Sequence, residues 1–359
     1  MTLPTESAVT ARLMAILARG SVNLGATAGI ERLMLMLTRS CHLRCPYCLV
    51  SKTETGPVMP RERALQAVDL VLQSRRPRLE IQFFGGEPTA EWDTLCAVLE
   101  HTMAHPARRG RPVEFVLTSN GLTLTRERVA HLARYPLMFM FSLDGDRVAQ
   151  RRGRPVRKDH DTLTDDSAWD RIEASVDLLL GSDLRWFMNA VLPPSMSGDL
   201  MARYTWAKAR GIPALQLNYA VGMRWRDAQT RRYLDGLIQV LHAHHADPGN
   251  LQLFNWRSDC EPVMLSDDLI VDVDGTVLHD GAIFLERRFP ELVRTYRRGH
   301  LDGLTAFDPL RWPLAKLYEV MLGTYPQGSE ERAILLHDIR LGAAVDLVIQ
   351  QQARALGRA

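Results

Sequence analysis

Three cysteines stand within eight residues, in Cys41-His42-Leu43-Arg44-Cys45-Pro46-Tyr47-Cys48. A disulfide framework would spread and pair its cysteines, and the chain has five, an odd number. Three clustered thiolates suit a soft metal or an iron–sulfur cluster. A structural zinc site needs a fourth ligand, for which His42 is the nearest candidate, and no second CxxC completes such a site. Around a cubic [4Fe–4S] cluster, three thiolates leave one iron open to a substrate or cofactor. Plain buried cysteines are the third reading.

Three further polar, glycine-bearing segments follow. Phe84-Gly85-Gly86-Glu87-Pro88 offers two glycines that let backbone approach a ligand. Pro88 lacks an N–H, and Glu87 is an acceptor for a cationic group. Thr118-Ser119-Asn120-Gly121 and Ser142-Leu143-Asp144-Gly145 come next. Each alone is an ordinary turn signature. The run Arg151–Lys158 holds five basic residues in eight and reads either as a solvated loop or as the source of an arginine that pairs with a carboxylate.

The elements that must position these segments are legible as apolar runs alternating with helical stretches. Strands are expected at Leu33–Leu37, Leu79–Phe84, Val113–Thr118, Leu137–Leu143, Trp186–Val191 and Ala214–Tyr219. Helices are expected at Arg61–Gln73, Trp92–Met103, Arg126–Arg134, Ala168–Leu180, Asp199–Arg210 and Ala228–His245, with Pro60, Ser167 and Ser197 ahead of three of them. Six βα units in series mean an α/β protein with a parallel sheet, doubly wound or curved into a partial barrel. The cysteine motif and the three glycine-bearing segments then follow strands one to four at their carboxyl ends, where such sheets bind ligands. Beyond residue 250, Asp268–Asp274 and Thr276–His279 read as a β-hairpin, and Glu331–Leu341 and Ala343–Ala355 as helices. The expected organisation is an N-terminal helical segment (1–30), the βα-repeat region (31–250), and a hairpin with terminal helices (251–359).

CHLRCPYC, FFGGEP, TSNG and SLDG, in this order, resemble the radical S-adenosylmethionine superfamily. More narrowly they resemble its peptide- and protein-modifying maturases, which include the anaerobic sulfatase-maturating enzymes. The resemblance covers roughly residues 31–220. It implies a partial (β/α)6 barrel and one [4Fe–4S] cluster on Cys41, Cys45 and Cys48. S-adenosylmethionine (AdoMet) would lie near Gly85, Gly86, Glu87 and Pro88, with Glu87 facing its ammonium. Tyr47 would touch the adenine, Ser119 and Asn120 the ribose or methionine part, and Ser142 and Asp144 the carboxylate or ribose side. The related His-x3-Arg is replaced by Val148-Ala149-Gln150-Arg151-Arg152-Gly153, where Arg152 is the chosen carboxylate partner and Arg154 the alternative. The resemblance further implies an external one-electron reductant such as a flavodoxin or ferredoxin, and a peptide or protein side chain as substrate. Alternatives are a small-molecule dehydrogenase or epimerase using the same radical chemistry, and a non-catalytic metal-binding module. Cys260 to Phe284 has the outline of the family's cluster-binding C-terminal extension, but Asp280, beside His279, stands where a cysteine is expected. It reads as a hairpin without its metal.

With 46% hydrophobic and 24% charged residues the chain is an ordinary globular protein. Its 44 basic and 42 acidic residues leave a net charge of +2, which gives no electrostatic case for nucleic acid or an acidic membrane. No apolar run reaches the ~18 residues of a membrane span, and the N-terminus lacks a secretory signal, so the cytoplasm is the expected compartment.

Overall fold

A computed structural model of the protein describes residues 3–23, 30–48, 50, 55–158, 162–256, 265–279 and 286–358. After helix α1 (Glu6–Asn23), strands and helices alternate. The strands are β1 (Ile30–Thr38), β2 (Arg78–Gly85), β3 (Val113–Ser119), β4 (Leu137–Ser142), β5 (Arg185–Leu192) and β6 (Ala214–Tyr219). The helices among them are α2 (Arg61–Leu72), α3 (Trp92–Ala104), α4 (Arg126–Leu132), α5 (Arg147–Gly153), α6 (Asp165–Leu180), α7 (Leu200–Ala209) and α8 (Asp227–Ala246). Neighbouring strands from β1 to β6 pair in parallel, as crossover helices require. The result is an α/β fold built on a mostly parallel, barrel-like sheet.

Alternation along the strands separates two faces. In β3, Val113, Phe115 and Leu117 are buried, whereas Glu114, Val116 and Thr118 are only half-buried. The first set packs beneath the helices; Phe83 and Phe115 stack there with ring centroids 6.1 Å apart. The second set lines the inner face. β1 instead buries Leu33 to Leu37 without a break, so both of its faces are covered.

The remaining elements are β7 (Gln252–Leu253), β8 (Leu269–Val271), β9 (Thr276–His279), α9 (Pro290–Tyr296), β10 (Arg297–His300), α10 (Leu314–Gly323) and α11 (Glu330–Ala355). The strand order is β10-β9-β8-β1-β2-β3-β4-β5-β6-β7. The expected hairpin, β8–β9, is thus joined to the barrel sheet: β8 runs parallel to β1, with Leu33 opposite Leu269. The two expected C-terminal helices are one, since Gly342 is buried within α11 where it packs on α1 and α8. Helix α6 starts before Ser167 because Thr164 and Ser167 form a reciprocal capping box. Part of the basic run is helical: Asp146 caps α5 by accepting the Ala149 N–H at 2.8 Å. Cys260 and Asp280 lie outside the described residues.

Candidate active site

The loop after β1 carries the cysteines, and three neighbouring segments hold it. Cys41 and Cys45 are buried and Cys48 is half-buried; all three are thiols rather than disulfides. The Cys48 N–H donates to the Cys45 carbonyl at 3.0 Å, a tight turn that sets the second and third sulfurs. The Leu43 N–H points at the Cys41 sulfur at 3.4 Å, and Asn120 Nδ2 lies 3.9 Å from it. N–H groups aimed at a thiolate stabilise its charge, an arrangement that suits metal–sulfur ligation.

The Gly85–Pro88 segment is the first support. Gly86 N–H donates to the Thr38 carbonyl at 2.7 Å and Glu87 N–H to the Ser40 carbonyl at 2.8 Å. A Cβ on Gly85, whose φ is +136°, would fall 2.3 Å from the Thr38 oxygen, and one on Gly86 2.0 Å from the Ser40 oxygen. Glycine is therefore required by the cysteine loop's own backbone. The sequence had suggested only a close approach to a ligand.

Glu87 is likewise turned inward. It is 1% exposed. Its Oε1 accepts from Thr89 N–H (3.2 Å), Thr89 Oγ1 (2.7 Å) and Ser119 Oγ (2.7 Å), and its Oε2 accepts from Asn120 N–H (2.7 Å). The carboxylate expected to face an ammonium is occupied in joining the rim after β2 to the rim after β3. Pro88 opens a short 3-10 turn, Pro88–Glu91, which needs no N–H at that position. Ser119 and Asn120 are thus brought to the site, the first clamping Glu87 and the second reaching Cys41.

The second support is one the sequence analysis missed. Leu43 and Val156 form an antiparallel bridge, flanked by Arg44 N–H to the Pro155 carbonyl (2.8 Å) and Arg157 N–H to the His42 carbonyl (3.0 Å). The Pro155–Arg157 part of the basic run therefore pairs with the cysteine loop, whereas Arg151 and Arg152 lie in solvent. No alternation of polar and apolar residues in Arg154-Pro155-Val156-Arg157-Lys158 signals an extended segment, so the pairing is not legible locally.

At the start of that run lies a buried polar knot. Tyr47 Oη donates to Asp144 Oδ2 at 2.5 Å, and Arg154 Nη2 lies 3.1 Å from Asp144 Oδ1. The Arg154 guanidinium carbon sits 5.5 Å from the Tyr47 ring centroid. Asp144 Oδ1 also accepts from Val191 N–H, and Asp144 N–H donates to Gln150 Oε1. Burial pushes the Tyr47 phenol well above its usual pKa of 10.0. Burial opposes the Arg154 charge, but Asp144, Tyr47 and Cys45 more than offset it and raise its pKa. Arg152 is not brought here: its side chain is 53% exposed and faces Asp199 at 3.7 Å. Arg154 is the arginine at the site. Ser142 is buried at the end of β4.

Two buried donors in this region, Arg154 Nε and Gln150 Nε2, have no hydrogen-bond partner among the described residues. Such groups are costly unless something outside the protein completes them. With three thiols alongside, the residues fit a polar cofactor seated on a metal cluster.

Below the rim, the inner face carries a polar row on successive strands. Gln82 Nε2 donates to Thr118 Oγ1 (3.1 Å), Thr118 Oγ1 and Asn189 Nδ2 approach the Met140 sulfur (3.6 and 3.5 Å), and Asn218 Nδ2 donates to Asn189 Oδ1 (2.6 Å). Their spacing in sequence hides this, because only the strand register puts them side by side. Elsewhere, Asp69, His101 and His105 converge, with Asp69 Oδ1 2.6 Å from His101 Nε2 and 3.4 Å from His105 Nε2. His105 Nδ1 accepts the Ala107 N–H, which keeps a hydrogen on Nε2 facing Asp69, while His101 bonds Asp69 directly. In the His242-Ala243-His244-His245 tract, His244 is buried and His242 bonds Gln352 at 2.8 Å.

Residues 35–194 match the model of the Radical SAM superfamily, whose members are enzymes that use a [4Fe–4S] cluster and AdoMet. The chain carries a radical SAM domain. It is similar to the radical SAM cyclopropyl synthase TigE of Paramaledivibacter caminithermalis, at 23% identity over 138 residues, 34% of this chain and 29% of TigE. Across the curated relatives it matches, the chain spans 28–39% of their length. Among solved structures, anSMEcpe with bound AdoMet and the Kp18Cys peptide shares the fold with a TM-score of 0.68 at 15% identity, covering 85% of this chain and 88% of that one. Streptococcus suis SuiB bound to S-adenosylmethionine does so with a TM-score of 0.54 at 15% identity, covering 79% and 67%. Among the described residues no helix is long and apolar enough to cross a membrane.

Proposed function

We propose that the protein is a radical SAM enzyme that acts on a peptide or protein side chain. One observation carries the reading: the cysteine loop is clamped from two sides, with buried donors beside it that have no partner among the described residues. In this reading Cys41, Cys45 and Cys48 hold a [4Fe–4S] cluster, and AdoMet lies against the rim formed by Tyr47, the Gly85–Pro88 backbone, Ser142, Gln150 and Arg154. Cluster and AdoMet, when bound, would supply radical hydrogen-atom abstraction driven by one electron from an external reductant. The protein's part is positioning. Glu87 ties two rim loops together so that the cysteine loop cannot drift, and Ser119 and Asn120 act through that tie. Arg154 would present its Nε–H, and Gln150 its side-chain NH2, to the cofactor's polar groups.

The substrate class is supported by the peptide named in the anSMEcpe structure and by the inner-face row of Gln82, Thr118, Asn189 and Asn218. These are uncharged groups able to donate and accept, suited to a neutral peptide segment. The test is anaerobic reconstitution followed by dithionite, AdoMet and short peptides encoded beside the gene. The expected result is about four irons and four sulfides per chain, 5′-deoxyadenosine, and a mass change in a peptide. Stoichiometric zinc with no visible absorption would refute the cluster. 5′-Deoxyadenosine that rises only with a small molecule would refute the peptide.

A further inference from the structure

We propose that Asp144 and Arg154 form a buried charge couple that holds the reduction potential of the cluster low. This rests on the reading of Cys41, Cys45 and Cys48 as cluster ligands.

The potentials of iron–sulfur clusters are set by net charge nearby, hydrogen bonds to sulfur and solvent exposure. Arg154 places a permanent cation in the segment that pairs with the cysteine loop. Its side chain is 8% exposed, so water does little to screen it. Its guanidinium carbon lies 5.5 Å from the ring centroid of Tyr47, the residue between Pro46 and the third cysteine, Cys48. Alone, such a cation would stabilise the added electron and make the cluster a poor reductant. Reductive cleavage of a carbon–sulfur bond needs the opposite. Asp144, 0% exposed, supplies the countercharge at 3.1 Å.

The structure is built around that carboxylate. It takes the Tyr47 hydroxyl, the Val191 N–H and Arg154 together. Gly153 leaves it room: a Cβ there would fall 2.0 Å from Asp144 Oδ2. The couple thus keeps the arginine's donors available to the site while cancelling its field on the cluster.

The experiment is a redox titration of the reconstituted full-length protein without AdoMet, followed by the signal of the reduced cluster. Asp144→Asn keeps the shape, with its oxygen still accepting from Val191 N–H and its NH2 able to donate to the Tyr47 hydroxyl, while leaving the arginine uncompensated. At a fixed solution potential its reduced-to-oxidised ratio should rise at least tenfold, which is 59 mV for a one-electron couple. The double variant Asp144→Asn/Arg154→Gln should lose most of that rise. Iron content of each variant, matched to wild type, confirms that a cluster is being compared. An unmoved potential in Asp144→Asn would overturn the proposal, as would an equal rise in the double variant, which would trace the effect to packing. If the wild-type chain takes up no cluster, the underlying reading of the cysteines has failed instead.

Discussion

Replacing Glu87 by glutamine separates two roles for this carboxylate. If it faces the cofactor, the change weakens AdoMet binding and leaves the empty protein intact. The structure points the other way. Glutamine puts an NH2 where Oε2 now accepts the Asn120 N–H at 2.7 Å, so that a buried donor meets a donor. One hydrogen bond to a charged group is lost, at ~1.5–3 kcal/mol, and the donors left facing each other cost about 1–3 kcal/mol more. The three bonds to Oε1 survive but lose their charge assistance. A total near 4 kcal/mol is expected. At ~2 °C per kcal/mol for a larger domain, the melting temperature of the iron-free, AdoMet-free protein should fall by about 8 °C. The assay is thermal unfolding by circular dichroism, beside AdoMet binding to the reconstituted protein. An apoprotein that melts with wild type while AdoMet affinity falls ten- to a hundredfold would refute the clamp and return Glu87 to the cofactor.

Three other outcomes are expected. Cys45→Ala should abolish both cluster and AdoMet cleavage, whereas Cys96→Ala should keep both, since Cys96 is a half-buried thiol on α3 whose pKa burial pushes up to about 11; iron analysis decides. Asp272→Asn should release iron to a chelator several-fold faster with unchanged secondary structure, because Asp272 grips Arg39, two residues before Cys41, at 2.7 Å alongside Glu286; an unchanged rate would mean the hairpin does not brace the loop. His279 is 0% exposed between Tyr296 and Trp312, and neither ring nitrogen meets hydrogen-bond geometry, although the Asp268 backbone faces it. Burial, with Arg298 and Arg311, lowers its pKa from 6.5 to about 3, so the unfolded chain takes up a proton that the folded one refuses. Stability is then lost as pH falls from 6.5 towards 3, by ~2.5 kcal/mol at pH 4.5. His279→Phe should remove that loss, as read from denaturant midpoints at pH 7 and 4.5; a variant as acid-sensitive as wild type would refute it.

The barrel strands and the cysteine motif were readable along the chain because their signals are local. A buried parallel strand shows as an apolar run, and ligand cysteines in one loop show as a spacing. The carboxyl-end rule then placed the cysteine motif and the three glycine-bearing segments on one rim, where the structure has them. Directions across that rim were not readable. Gly86 is glycine because of Ser40, Glu87 points at Asn120, and Arg154 rather than Arg152 is turned inward, each through contacts made by residues far apart in sequence. The hairpin could be read but not placed, because strand order leaves no local trace; its position beside β1 depends on which sheet edge is open. Periodicity reports which residues are buried, but not what they are buried against. That is decided only when the strands take their register and the rim loops close on one another.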